Sequence, residues 1–489
     1  MKLQIIASFL IALTGLAAFA QSAPATGRAL LISDIHLDPV ADPAIVKQLI
    51  ASPVEQWDAI FQSSQQKSFS PYGEDSNYRL FSSALTEAAA QAPFDYVIFT
   101  GDALRHNFSQ AFVAAGGTPD QYPAFAAKTE AFVLQELQNR LKVPVLATLG
   151  NNDSGCGDYH IPPDSPFLSE TADQLNVLAT SPEAKSTFQL GGFFSIPHPT
   201  VGNQDIVVLN TIFWSASYKS CTPDSGDPGE AEIEWLGWKL YTASLLHHGV
   251  TLVMHIPPGM DAYNSSRGQC RKPVAFWQPK YATEFSTLMS TYSGVVQLAF
   301  AGHIHMDDFR VSDPHSPSSP PSLPLRITPS VSPIFKNNPA FSVMTYNLTT
   351  ASVSDITTFF LALSSETPAW STEYKFSSAY GINSFSAGNL STLAAAIRTG
   401  DGPRTTFEKY YAVSTPPPIT PSNFSFYSCA QTSFTPASYS DCVCGAAKKP
   451  APHASAFDSI PKGNTKPLLN GNALGVQPNT GADYAPSRN

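Results

Sequence analysis

Phe300-Ala301-Gly302-His303-Ile304-His305-Met306-Asp307-Asp308 joins the end of an apolar run to two histidines and two aspartates. The apolar run from Val295 to Ala301 predicts a buried strand that stops at a glycine. Two histidines follow at i and i+2, a spacing that lets both imidazoles face one small volume where the backbone turns. Neutral imidazole is the commonest histidine metal ligand. One His-x-His pair says little alone; its weight comes from other strand ends that finish in the same chemistry.

Working outward, Arg28 to Ser33 predicts a strand running into Asp34-Ile35-His36-Leu37-Asp38-Pro39. Asp95 to Thr100 predicts a second, ending in Gly101-Asp102, and Val143 to Leu149 a third, ending in Gly150-Asn151-Asn152-Asp153. Asp205 to Asn210 is a fourth, and Val250 to Met254 a fifth that ends in His255-Ile256-Pro257-Pro258-Gly259. Helical patterns cover 78–91, 122–141, 279–293 and 230–248, the last with Trp235, Leu236, Leu240 and Leu245 as its inner face. Further strands are expected near 325–328, 341–347 and 353–361, and a helix near 391–398. Strands and helices in alternation predict an α/β protein with helices covering sheets. In such folds ligands sit outside the carboxyl ends of strands. Here five strand ends carry Asp-x-His, Gly-Asp, Gly-Asn, His and Gly-His-x-His.

Length and composition narrow the class. The 489 residues are 43% hydrophobic, enough for a large core, and only 13% charged. The net charge of −10 argues against a general polyanion binder, so no nucleic-acid partner is expected. Lys2, the apolar run Leu3 to Ala20 and the small-x-small Ala18-Phe19-Ala20 predict an export signal cleaved near Ala20. No other stretch is a candidate membrane span. The mature chain is expected outside the cytoplasm, secreted or periplasmic, where disulfides form. Six cysteines (Cys156, Cys221, Cys270, Cys429, Cys442 and Cys444) allow fifteen full pairings, and none stands in a Cys-x-x-Cys pair. The expected division is a leader at 1–20, a catalytic domain at 21–364, a helical extension with cysteines at 365–445 and a disordered tail at 446–489.

The strand-end candidates are Asp34, His36, Asp102, Asn151, His255, His303 and His305. Each alone has an ordinary alternative: Asp34 or Asn151 can cap a turn, and His255 can bond to backbone in a core. Five such ends arising by coincidence is a far weaker reading. Nitrogen and oxygen donors without thiolate suit zinc, iron or manganese. Two divalent ions, with one carboxylate shared, can clamp a phosphoryl oxygen and lower the pKa of a bridging water.

This ordered set of motifs, from Ala29 to about Asp308, resembles the calcineurin-like metallophosphoesterase superfamily. The resemblance implies a four-layer α/β/β/α sandwich of two mixed sheets. It implies one ion on Asp34, His36, Asp102 and His305, and another on Asp102, Asn151, His255 and His303. Ser33 to Pro39, His255 to Gly259 and Gly302 to Phe309 are similar, more narrowly, to the acid sphingomyelinase-like phosphodiesterases. That likeness implies a Cys221–Cys270 disulfide and a helical C-terminal extension. One position departs. The family carries histidine where this chain has Asn152, and an amide cannot act as a general acid near neutral pH. Gly-Asn-Asn-Asp is instead similar to endopolyphosphatases. His106, four residues after Asp102, matches a second active-site histidine and is the expected proton donor, with His160 a weaker candidate.

The expected function is hydrolysis of phosphodiesters by a metal-activated hydroxide, on a small phosphorylated substrate or a lipid headgroup. Two alternatives remain open: a phosphoanhydride hydrolase acting on polyphosphate or nucleoside polyphosphates, and a catalytically weak metal- or phosphate-binding protein.

Overall fold

A computed structural model describes residues 25–222, 226–312 and 323–446. The expected leader, the tail beyond 446 and most of the Pro314 to Pro324 segment lie outside the described residues.

Two six-stranded mixed sheets form the centre. In the first, β1 (Thr26–Ile32), β2 (Tyr96–Phe99) and β3 (Val145–Ala147) lie parallel. On the other side of β1 the sheet continues antiparallel through β10 (Ala340–Asn347), β11 (Val353–Leu361) and β12 (Trp370–Lys375). In the second, β5 (Gln204–Val208), β6 (Gly249–Val253), β7 (Val296–Ala301) and β9 (Pro324–Ile327) run parallel. Antiparallel edges β4 (Phe194–Pro197) and β8 (Asp308–Val311) close it.

The parallel strands are short apolar runs because both faces are covered. Every residue of β2, β3 and β6 is buried. The sheets share one core and touch through polar links as well: Thr148 Oγ1 donates to the Leu209 carbonyl at 2.6 Å, and Tyr96 Oη meets His198 Nε2 at 3.1 Å. Helices Tyr78–Ala90 and Tyr122–Leu141 cover the first sheet, and Pro228–Leu246 and Pro279–Thr291 the second. The layers are therefore α/β/β/α, as expected.

Three details differ from expectation. Leu245 is 61% exposed, whereas Leu236 and Leu240 are fully buried. At about 100° per residue, nine positions beyond Leu236 turn Leu245 to the opposite side of the helix. Strands β4, β8 and β12 were not anticipated, for reasons taken up below. The disulfide between Cys221 and Cys270 is not formed; the pairs are Cys156–Cys221, Cys270–Cys444 and Cys429–Cys442. The segment after Asn152 carries Cys156 to the loop of Cys221, and Cys270 reaches the last helix, Pro436–Ala446.

The C-terminal part is anchored beside the His-x-His turn. Arg326 of β9 forks onto both carboxylate oxygens of Asp307, and Tyr374 Oη of β12 donates to the same carboxylate at 2.7 Å. The Asp307 N–H donates to the Tyr411 carbonyl at 2.8 Å. The residue two places after His305 is thus fixed by Arg326 and by two groups more than sixty positions further along the chain, Tyr374 and Tyr411.

Candidate metal centre

The loops after β1 and β2 continue side by side beyond their strands. The Asp34 N–H donates to the Gly101 carbonyl and the His36 N–H to the Asp102 carbonyl, each at 2.9 Å. Carboxylates then press against backbone that has no room for a side chain. A Cβ on Gly302 would sit 2.1 Å from Ser33 Oγ and 2.6 Å from Asp34 Oδ2. One on Gly150 would sit 2.0 Å from Asp102 Oδ1. Glycine is required at both for this close approach.

Five of the seven strand-end candidates adopt left-handed backbone: Asp34 (φ 47°), His36 (44°), Asp102 (59°), His303 (73°) and His305 (63°). Non-glycine residues pay strain there, and such strain gathers at functional sites. Here it turns each side chain inward from its strand end.

All seven side chains converge and are buried. His36 Nδ1 is paired with the Leu104 carbonyl at 2.8 Å, so Nε2 is the nitrogen that faces inward. That Nε2 lies 3.1 Å from His305 Nε2, 3.4 Å from Asp102 Oδ2 and 3.8 Å from Asp34 Oδ1. Across Asp102, His255 Nε2 stands 3.2 Å from the same Oδ2 and 3.0 Å from Asn151 Oδ1, while Thr100 O holds its Nδ1 at 2.7 Å. His303 Nδ1 completes this side, 2.9 Å from Asn151 Oδ1. Two donor sets therefore meet at Asp102 Oδ2.

Burial alone would lower the basicity of His36 and His255, but the carboxylates, chiefly Asp102, outweigh it and push them up to about 10 and about 9. His303 and His305 are held well below the usual histidine range by burial and by their positive neighbours His255 and His36. Asp102 stays ionised: burial opposes this, and the charges on His255 and His36 prevail. The carboxylates thus call for cations inside a dry pocket, while the four imidazoles cannot all carry protons together. Divalent cations satisfy both demands, and the donor set fits them.

His106 lies at the edge of the first set, its ring stacked on His36 at 4.1 Å between centroids. Its partner is a residue sequence reasoning did not find. Asp75 accepts from His106 Nδ1 at 3.0 Å and from its backbone N–H at 2.9 Å. Against the burial that favours its neutral form, the His106 charge brings Asp75 down to about 2. Asp75 comes from the polar 41–78 segment, where no periodicity or motif marks it. Asn152 is buried and donates from its backbone N–H to Asp102 Oδ1 at 2.9 Å and from Nδ2 to Asp102 Oδ2 at 3.1 Å. Asp153 ties the turn together, accepting from the backbone N–H groups of Asp102, Leu104 and Gly150. His160 is turned to its own loop, its Nδ1 2.5 Å from the Asp158 carbonyl.

Comparison with known proteins bears on this centre. Residues 27–307, more than half of the chain, match the family described as calcineurin-like phosphoesterase. The chain belongs to that family. Residues 324–449 of this phosphoesterase also match the acid sphingomyelin phosphodiesterase C-terminal region. It is 28% identical over 371 residues to acid sphingomyelinase-like phosphodiesterase 3b of Homo sapiens, covering 70% of this chain and 74% of the relative. It is 28% identical over 325 residues to sphingomyelinase phosphodiesterase D of Dictyostelium discoideum, covering 64% and 67%. It is 24% identical over 409 residues to cyclic GMP-AMP phosphodiesterase SMPDL3A of Mus musculus, covering 80% and 85%. The phosphoesterase is a metal-dependent phosphodiesterase in class. Its three disulfides fit a compartment that permits them, and among the described residues no helix is long and apolar enough to cross a membrane.

Proposed function

We propose that this phosphoesterase, exported and cleaved near Ala20, hydrolyses phosphodiesters of the lipid-headgroup or nucleotide kind with two divalent ions, zinc in the first place and iron or manganese as alternatives. One ion would be held by Asp34, His36, Asp102 and His305, the other by Asp102, Asn151, His255 and His303. The observation that carries this reading is Asp102 Oδ2, which faces His36 Nε2 on one side and His255 Nε2 on the other. When bound, such ions polarise phosphoryl oxygens and make water a nucleophile at neutral pH.

The chain's own residues supply the remaining chemistry. With Asp75 on Nδ1, His106 keeps Nε2 for the leaving group, and the Asp75 carboxylate fixes the orientation of the ring that would donate the proton. Asn152 contributes an amide donor toward the phosphoryl oxygens and no proton. The diester class is supported by the relatives, whose names cite sphingomyelin and a cyclic dinucleotide. Asn152, which lacks the acid that a diester alkoxide leaving group needs, favours phosphoanhydrides as a second reading.

The test is turnover of a nitrophenyl phosphodiester, sphingomyelin, a cyclic dinucleotide and polyphosphate by the purified chain, before and after chelation and after return of zinc. Chelation should stop turnover, zinc should restore it, and diesters should outpace polyphosphate. Undiminished turnover in chelator would overturn the metal reading; faster polyphosphate cleavage would replace the first substrate reading with the second.

A further inference from the structure

The two donor sets are supported differently, and the second leans on a loop that the proposed function has not used. Asn151 can ligate only through Oδ1, and an amide has two orientations. Asp158 Oδ1 accepts from Asn151 Nδ2 at 2.7 Å, which turns Oδ1 toward His255 and His303. The next residue, Tyr159, places its Oη 3.5 Å from His303 Nε2, the nitrogen opposite the inward-facing Nδ1. Tyr159 holds this place in left-handed backbone (φ 56°), with its N–H on the Asn151 carbonyl at 2.8 Å. Its own carbonyl accepts from the Lys219 N–H at 3.2 Å, and Tyr218 Oη donates to the Ile161 carbonyl at 3.1 Å. The disulfide Cys156–Cys221 closes the same seam.

We propose that Asp158 and Tyr159, braced by Cys156–Cys221, are positioning residues that set the affinity of the ion site formed by Asn151, His255 and His303. This rests on the two-ion reading given above. Asp158 fixes the amide and, as an anion on Nδ2, raises electron density on the ligating oxygen. Tyr159 orients the His303 ring from its far nitrogen. Partners of this kind change metal affinity by roughly 10–100-fold when removed. In the first set, His36 is held instead by the Leu104 carbonyl.

The experiment is zinc binding by the whole purified chain, with zinc per chain measured by elemental analysis and each affinity by titration against a competing chelator. The wild type should hold two zinc ions. Asp158→Ala should weaken one of them by roughly 10–100-fold and leave the other unchanged. Tyr159→Phe should weaken the same ion by less, and Asp158→Asn, which keeps an oxygen facing Nδ2, should recover part of the loss. The double change Cys156→Ser with Cys221→Ser should weaken the same ion while circular dichroism stays that of the wild type. Unchanged affinities for both ions in Asp158→Ala, or equal weakening of both, would overturn the clamp and leave the two-ion reading standing. A wild type that binds fewer than two zinc ions would overturn both.

Discussion

The two halves of the centre use the same donor chemistry on different supports. Around Asp34, His36 and His305, the restraints come from strand-end backbone: the Leu104 carbonyl on His36, and the His303 N–H on Asp34 at 3.1 Å. The turn that carries His305 is pinned through Asp307 to Arg326 and Tyr374. Around Asn151, His255 and His303, it is His255 that meets such a carbonyl, that of Thr100. Asn151 and His303 instead meet residues 158 and 159 of the loop after β3, and the ring of Phe276, 5.4 Å from His303. Strand-end backbone thus supports one half of the centre, and loop side chains much of the other.

Asp102 belongs to both halves, so its substitution should erase the distinction between them. Asp102→Asn replaces a shared carboxylate with a neutral amide. It should lower occupancy on both sides and cut turnover by roughly 10³-fold or more, the several kcal/mol an ion supplies to the transition state. Elemental analysis alongside turnover checks it. Two ions per chain with normal turnover would remove Asp102 from its shared place.

A smaller effect separates the halves. His106 touches only the first, through His36 and His305. His106→Ala should slow esters with poor leaving groups by about 10²–10⁴-fold, the usual worth of general acid catalysis. Nitrophenyl esters, which need little protonation, should be hurt at least about tenfold less. Both ions should remain. Asn152→Ala should weaken the two ester types alike, since an amide only stabilises charge. Equal losses in His106→Ala would reduce His106 to a phosphate contact. A lost ion would make it a ligand, which its place within reach of His36 and His305 allows.

What sequence made legible follows the same division. The seven strand-end residues stood out because five apolar runs of one chain stop in Asp, Asn or His, though each end alone has an ordinary use, and β1, β2, β6 and β7 lie close to where those runs predicted. Asp75 was invisible: it approaches His106 across 31 positions that hold a helix and a strand, and it carries no motif. The disulfides were invisible because pairing depends on where loops travel, and fifteen pairings share one sequence. Strand β8 hid behind Asp308 and Arg310, charged residues that are buried, Asp308 accepting from Gln431 and Arg310 donating to the Met260 carbonyl. Strand β12 is a polar edge strand, and β4 is four residues ending in proline. Each miss is a case of tertiary contact overriding a local signal.

The smallest predicted effect concerns the cover over the second half. Asp261 caps the short helix Ala262–Ser266 through the Asn264 N–H, in the loop that brings Phe276 to His303. Asp308 lies near it, accepting from its neighbour's N–H at 2.8 Å and from Gln431. Burial pushes both carboxyls up to about 6, with Arg310 acting against the rise. For an acid whose folded value exceeds its unfolded one, the folded state keeps a proton that the unfolded state has released. Stability therefore falls as pH rises from about 4 through about 6, by at most about 3 kcal/mol per group. His198 opposes this: burial lowers it to about 4, so it favours the folded state less as pH falls below about 6.5. Two carboxyls against one histidine leave a net gain on the acid side. The three groups together leave a net fall of somewhat under about 1 kcal/mol between pH 5 and 7.5, so the melting temperature of the zinc-loaded chain, measured by calorimetry, should fall by about 1 °C, at roughly 1–2 °C per kcal/mol for a chain of this size. Asp308→Asn keeps the accepting oxygen without the charge, so it should remove roughly 1.4 kcal/mol of the fall, enough to level or reverse the profile against His198, and raise the melting temperature near pH 7.5. A wild-type profile that climbs from pH 5 to 7.5, or an Asp308→Asn profile parallel to it, would show that these carboxyls do not govern how tightly the second half is covered.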